Sequence, residues 1–311
     1  MVTLVFAGEI VFGLPFHTAR FFRPTLLESF GFTNTQLGDV FAVYGVMAML
    51  AYFPGGFLAD RFSARFLLSI SLIATGVGGF YMATYPGTWG MALLYGYWGI
   101  TTILLFWAAL IRATREWGGT TSQGRAFGIL EGGRGVAAAV FATLGIAVLA
   151  YYSPDNAAFA SNDERRIAFR SVILLYSFAA IATALLTWIL VPPAKHVGDS
   201  SQSLFHGAAA VMTRPLAWAQ AAVIICAYCG YKGLDNYSLY AVQVLGMNEV
   251  DGAQLSAYGA YIRPFAAVAA GYLADRWCAS KTIGTSFVVL LLTYAMLSVA
   301  LPVGSGLTII Y

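Results

Sequence analysis

Two pairs of opposite charges stand three residues apart inside otherwise apolar sequence: Glu131 with Arg134, and Lys232 with Asp235. On a helix that spacing puts both members on one face, where they can neutralise each other. It equally allows one member to bind or titrate while the other tunes it. More charges interrupt similar runs: Glu9, His17, Arg20 and Arg23 near the start, then Asp39, and finally Arg263. In hydrocarbon each costs roughly 2.5–3.5 kcal/mol even on the lenient insertion scale, so each needs a partner, water or a purpose. Asp39, Glu9 and Arg23 read as interfacial or snorkelling residues, and a lone His17 as a hydrogen-bonded packing residue. Arg263 is different, because the positions three and four residues away are Gly259, Ala260, Ala266 and Ala267. Its planar donor fork suits a carboxylate, phosphate or nitrate. The chemistry these types support is anion holding by Arg263, Lys232 and Arg20, with His17 and Tyr231 beside them. Proton movement would fall to Glu131 or Asp235, with Arg134 as the tuning base.

The elements that must position these residues follow from composition. Hydrophobic residues make up 59% of the 311 and charged residues 10%, against about 25% charged in a soluble domain. Mean hydropathy is +0.73. The chain therefore lacks a polar skin, and its apolar runs are long enough to cross a bilayer core of about 30 Å. Helices are expected over about 1–27, 35–58, 66–85, 88–112, 124–152, 168–191, 215–245, 252–274 and 281–302, with a tenth beginning near Gly304. The first run lacks the basic start and small-residue cleavage site of a signal peptide. "PPAKHVGDSSQS" (Pro192–Ser203) is the one linker-like polar stretch, and it follows six spans. It divides the chain into a bundle over 1–191, a linker over 192–214 and a second bundle over 215–311. Loops after even-numbered spans hold Arg61, Arg65, Arg112, Arg115, Arg125, Lys195, Arg214, Arg276 and Lys281, which makes that side, the linker and the start of the first helix cytoplasmic. Arg165, Arg166 and Arg170 lie on the other side among Asp155, Asp163 and Glu164.

One short phrase occurs twice. "PGGFLADRFSAR" (Pro54–Arg65) returns as "AAGYLADRWCASK" (Ala269–Lys281), 215 residues later and six spans further on. Parallel repeats of this kind are a transporter plan. The doubled phrase resembles the signature of the major facilitator superfamily, roughly G-x-L-A-D-R-x-G-R-R/K. Gly56, Asp60, Arg61 and Arg65 match in the first copy, with Ser63 and Ala64 in place of Gly-Arg. Gly271, Asp275 and Arg276 match in the second, where Cys278 and Ala279 depart. The resemblance implies an all-α polytopic fold of two six-helix bundles and a role for these residues in latching the cytoplasmic gate. It also implies twelve spans, so the nine and a stub here, ending at "GSGLTIIY", are expected to be a reading frame that stops early, with an incomplete second bundle. "GRAFGILEGGRG" and "YKGLDNYSLY" resemble sugar-phosphate and organic-anion carriers, although Gly230 stands where those carriers place a phosphate-binding Arg. "YIRPFAAVAAGYLADR" is similar to nitrate/nitrite porters, yet the 215-residue offset puts Ala48 opposite Arg263 where such porters pair two arginines. The same offset sets Lys232 opposite His17 and Asp235 opposite Arg20.

Other chemistries find little support. "GGRGVA" resembles a dinucleotide fingerprint but has no preceding strand, and its glycines read as close-packing positions. Cys226 and Cys229 form a C-x-x-C without a second ligand pair, and a net charge of +3 is too small to point to nucleic acid. No cofactor, metal or enzymatic activity is expected. The reading is a monomeric, multi-pass inner-membrane carrier of a small organic anion, working by proton coupling or exchange. The alternatives are an inorganic-anion porter and a transporter-like sensor that binds without moving solute. Aromatic wall candidates are Tyr44, Trp107, Tyr231, Tyr237 and Tyr261.

Overall fold

The computed structural model describes residues 1–119, 123–152, 161–193, 213–277 and 279–299, and every regular element among them is helical. The first span is broken into Val2–Ile10, a wide turn Gly13–His17, Thr18–Phe21 and Arg23–Phe30. The second to fourth are Asn34–Arg61, Ala64–Met82 and Thr88–Gly118. Gln123–Tyr151 and Asn162–Leu190 are the fifth and sixth. The seventh comprises Pro215–Lys232, a tight turn Gly233–Asn236 and Tyr237–Gln243. Glu249–Trp277 and Ala279–Val299 are the eighth and ninth. Linker residues 194–212 and the expected tenth span lie outside the described residues.

Among the described residues, four helices qualify by length and apolarity as membrane crossings, and up to six if two bent pairs each count as one. The expected nine spans are all present as helices, but the seventh, eighth and ninth do not qualify; the ninth is short, and the eighth carries Glu249, Asp251, Gln254 and Arg263. Both bends have causes in the sequence. Pro15 cannot donate to the helical ladder, and the His17 N–H reaches back five residues to the Phe12 carbonyl at 3.3 Å. The two arms of the first span diverge by 46° there, and the second span bends by 52° at Pro54. An uninterrupted helix over 1–27 is thus not what forms. The sixth span also begins earlier than its apolar run, because the Ser161 hydroxyl caps the Glu164 N–H at 3.2 Å and Asp163 and Glu164 fill the first turn. Arg165, Arg166 and Arg170 are consequently helical rather than in a loop.

Small residues set the packing. A Cβ on Gly79 of the third span would sit 2.0 Å from the Ser177 hydroxyl of the sixth, and one on Gly99 would meet the Tyr44 carbonyl at 2.8 Å. Without such residues the backbones could not approach, and in lipid close approach is a main source of helix association. Hydroxyls add directional contacts: Ser71 donates to the Thr101 carbonyl at 2.6 Å, and Tyr44 and Thr102 share a hydrogen bond of 2.7 Å. The outward faces are apolar and exposed, as at Trp89, Leu93 and Ile189.

Gly99→Ala should lower the thermal unfolding temperature in detergent by an amount equivalent to about 1–3 kcal/mol, since its new methyl meets backbone that cannot rotate away. Gly38→Ala, which meets nothing within 4 Å, is the control. Equal melting of the two variants would remove this account of the second–fourth span contact.

Candidate substrate cavity

A cavity of about 540 Å³ lies between the first, second, fourth, fifth, seventh and eighth spans. Glu9, His17, Arg20, Arg134, Lys232 and Arg263 supply its charged and titratable lining. The break in the first span places three of these: Glu9 ends the first arm, and His17 and Arg20 begin the second.

The charges fall into two clusters. In one, the Glu9 carboxylate accepts from His17 Nε2 at 3.1 Å, from Arg134 Nε at 3.0 Å and from Arg263 Nη1 at 3.5 Å. Arg134 Nη1 also donates to Glu131 at 2.7 Å, and Arg263 Nη2 reaches the other Glu131 oxygen at 3.4 Å. In the second, Asp235 accepts from Arg20 Nε at 2.6 Å and is also bonded by Lys232. Arg20 donates to the Tyr231 hydroxyl at 2.8 Å, and Arg23 to the Asp235 carbonyl at 3.4 Å and to Asn34 Oδ1 at 2.7 Å. Lys232 Nζ lies 4.3 Å from the centroid of the Phe16 ring, a cation–π contact.

The structure therefore brings together every residue nominated for binding: Arg263, Lys232, Arg20, His17 and Tyr231. Three expectations change. Glu9 is buried rather than interfacial, and it bridges three helices; its spacing of eight from His17 crosses the wide turn, so no regular helical pattern reveals it. Arg23 is buried rather than snorkelling, because Asn34 and the Asp235 carbonyl receive it. Glu131 is 46% exposed along its side chain, so it is not buried in the bundle interior. Tyr44, Trp107 and Tyr231 line the cavity, whereas Tyr237 and Tyr261 do not; Tyr261 instead shares a 2.7 Å hydrogen bond with Thr143 of the fifth span.

The repeated phrase lies away from this cavity. Asp60 is exposed in the last helical turn, where it opposes the helix dipole, and it has no ion pair among the described residues. Arg61 stacks 3.8 Å from the centroid of the Phe57 ring and Arg65 4.4 Å from that of Trp188. Gly56, which matches the signature, faces open space, whereas a Cβ on its neighbour Gly55 would meet the Leu104 carbonyl at 3.1 Å. Ser63, in place of the usual Gly, caps the next helix by accepting from the Phe66 N–H at 3.3 Å. Gly271, Asp275 and Arg276 continue the eighth span, and their side chains lie outside the described residues. In "GGRGVA", Gly133 packs on Val5 and Gly135 on Pro264, so both glycines serve helix crossings.

The end of the molecule opposite Arg61 and Arg65 is tied shut. Glu249 accepts from Arg165 at 2.8 Å and is bonded by Thr25, while Ser238 and Ser256 both donate to the Arg20 carbonyl, at 2.8 and 3.2 Å. Exposed Met49, Tyr52 and Tyr228 rim the cavity toward the other end.

Broken and intact apolar helices around a charged, aromatic-walled cavity define a polytopic membrane protein. The family model described as Major Facilitator Superfamily matches residues 5–311, and the chain belongs to that superfamily. It is similar to inner membrane protein YqcE of Escherichia coli (strain K12), at 28% identity over 255 residues, 80% of this chain and 58% of that protein. Inner membrane protein YihN of the same organism is 25% identical over 240 residues, covering 75% and 54% respectively. The chain thus spans little more than half the length of these relatives. Their location, the family and the apolar helices place it in the inner membrane.

Removing one partner from a buried ion cluster leaves charge uncompensated, typically at about 3–5 kcal/mol. Asp235→Asn should therefore lower stability strongly, since Arg20 and Lys232 both lose their carboxylate. Adding Arg20→Gln should recover part of that loss in thermal unfolding; a double variant as unstable as the two separate losses added together would show that the pair is not coupled.

Proposed function

We propose that the chain acts in secondary active transport of a small organic anion, by alternating access between a bundle over 1–191 and one begun at 215, with the linker cytoplasmic. The observation that carries this reading is the partnering of Arg263. It lies in the cavity wall on the eighth span, held by Glu9 and Glu131 of the other bundle at 3.5 and 3.4 Å. Those separations exceed the usual 2.7–3.2 Å of a hydrogen-bonded nitrogen and oxygen, so an incoming anion can take the donor fork over at little cost. With the linker side cytoplasmic, the Glu249–Arg165–Thr25 cluster closes the periplasmic end and the cavity faces inward. A cavity of about 540 Å³ with aromatic walls favours an organic anion over nitrate, which would leave most of it to water.

Of the two carboxylates the sequence nominates for proton coupling, Glu131 is half-exposed and so the freer to exchange a proton, while Asp235 is buried and held by two cations. Glu131→Gln should bind substrate yet fail to accumulate it against a gradient in proteoliposomes; undiminished uphill uptake would move coupling elsewhere.

Arg263→Lys keeps the charge and loses the fork. Anion binding should weaken by about tenfold or more, with thermal stability little changed. Normal binding by a variant that unfolds easily would make Arg263 a scaffold residue and remove the main support for an anion. Binding without any uptake by the wild-type chain would favour the sensor reading.

A further inference from the structure

Resting on the anion reading above, we infer that the cavity accepts an aryl monocarboxylate: a single negative charge carried on a flat apolar ring. Charge comes first. With His17 neutral, four cations line the cavity, Arg20, Arg134, Lys232 and Arg263, and the carboxylates bonded to them are three, Glu9, Glu131 and Asp235; Arg23, the fifth cation of the clusters, is bonded to Asn34 and the Asp235 carbonyl and does not line the cavity. Among the lining groups and their partners one positive charge is left without a carboxylate, and a monoanion completes that balance.

The walls supply the second argument. Phe16 stacks on Phe41 with centroids 5.8 Å apart and planes 10° apart, and meets Tyr44 edge-on at 4.8 Å. Phe12 and Trp107 extend the surface with centroids 6.1 Å apart. Lys232 and Arg134 lie against these rings, Lys232 over Phe16 and Arg134 5.7 Å from the Trp107 centroid. The positive groups are thus set beside ring surfaces, the arrangement that an aromatic acid matches with its carboxylate on the cations and its ring on the wall.

The third argument is what the wall does not offer a hydroxylated anion. Among the described lining residues there is no Asn, Gln, Ser or Thr, and the hydroxyls are all on tyrosines. Tyr44 is already bonded to Thr102 and Tyr231 to Arg20, which leaves Tyr52 and Tyr228 at the exposed rim. The carboxylates that would receive sugar hydroxyls are engaged by arginine and lysine. A sugar acid would find hydroxyl partners only at that rim, and each hydroxyl buried deeper against aromatic carbon is unfavourable. An aryl ring has no such groups to satisfy.

The test is direct binding to the purified chain in detergent, by titration calorimetry and by Trp fluorescence, with naphthoate, uncharged naphthamide, glucuronate and nitrate as probes. Naphthoate should bind saturably, with the other three weaker by about tenfold or more. Phe16→Leu should weaken naphthoate by a similar factor. Failure of naphthoate to bind overturns the inference. Glucuronate or nitrate binding at least as tightly as naphthoate, and losing affinity in Arg263→Gln, overturns the aryl assignment while keeping the anion reading. Naphthamide binding as tightly as naphthoate, with Arg263→Gln without effect, overturns both. The probe comparison needs only the unaltered protein, so a poorly folding Phe16 variant does not remove the test.

Discussion

The ion pair between Arg20 and Asp235 is the contact on which the arrangement depends. Two charges in a membrane interior are tolerable only when they meet, and their 2.6 Å bond joins the second arm of the first span to the tight turn in the seventh. The backbone around Arg20 is fixed by the same junction, since its carbonyl receives hydroxyls from Ser238 and Ser256. Arg23, one turn on, donates to the Asp235 carbonyl, and Lys232, one turn back on the seventh span, shares the Asp235 carboxylate. Without this pair, four cationic or anionic side chains would be left facing one another across a seam between the bundles.

The Glu9 cluster is built on the same logic with a different outcome. Glu9 holds Arg134 of its own bundle firmly and Arg263 of the other weakly, at 3.0 against 3.5 Å. The first contact can stay closed while the second opens. One buried carboxylate thus fixes the fifth span against the first and leaves the eighth with a donor to spare. The fifth and eighth spans still touch independently of charge, through Gly135 on Pro264 and Thr143 on Tyr261, so loosening Arg263 does not by itself separate them.

The spans were legible because apolar length is read directly in sequence, and the family was legible because the repeated phrase recurs at a fixed offset. That offset also matched Arg20 to Asp235 in depth, and the two prove to be bonded. What stayed hidden was tertiary. Nothing near Arg263 along the chain identifies Glu9 and Glu131 as its partners, because they come from other helices. Glu9 and His17 meet only because a proline-bearing wide turn rotates one helical arm relative to the other. The exposure of Glu131 depends on which face of the fifth span is packed against other helices, which a short-range charge pattern does not specify. At the repeated phrase the sequence located the turn correctly, but Gly55 rather than its neighbour makes the close contact, a difference of one helical step of about 100°.

The 215-residue offset of the repeated phrase matches Arg20 to Asp235, and yet the two touch. Equivalent positions meet only along the axis that relates the halves. Two identical halves would set like against like there: arginine on arginine or aspartate on aspartate, each a buried repulsion. A protein assembled by duplication could acquire this bond only by breaking its own symmetry, with one copy changing sign. The seam is therefore a place where the halves have to differ, and exchanging one half for a second copy of the other would fail there first, however well the apolar faces fit.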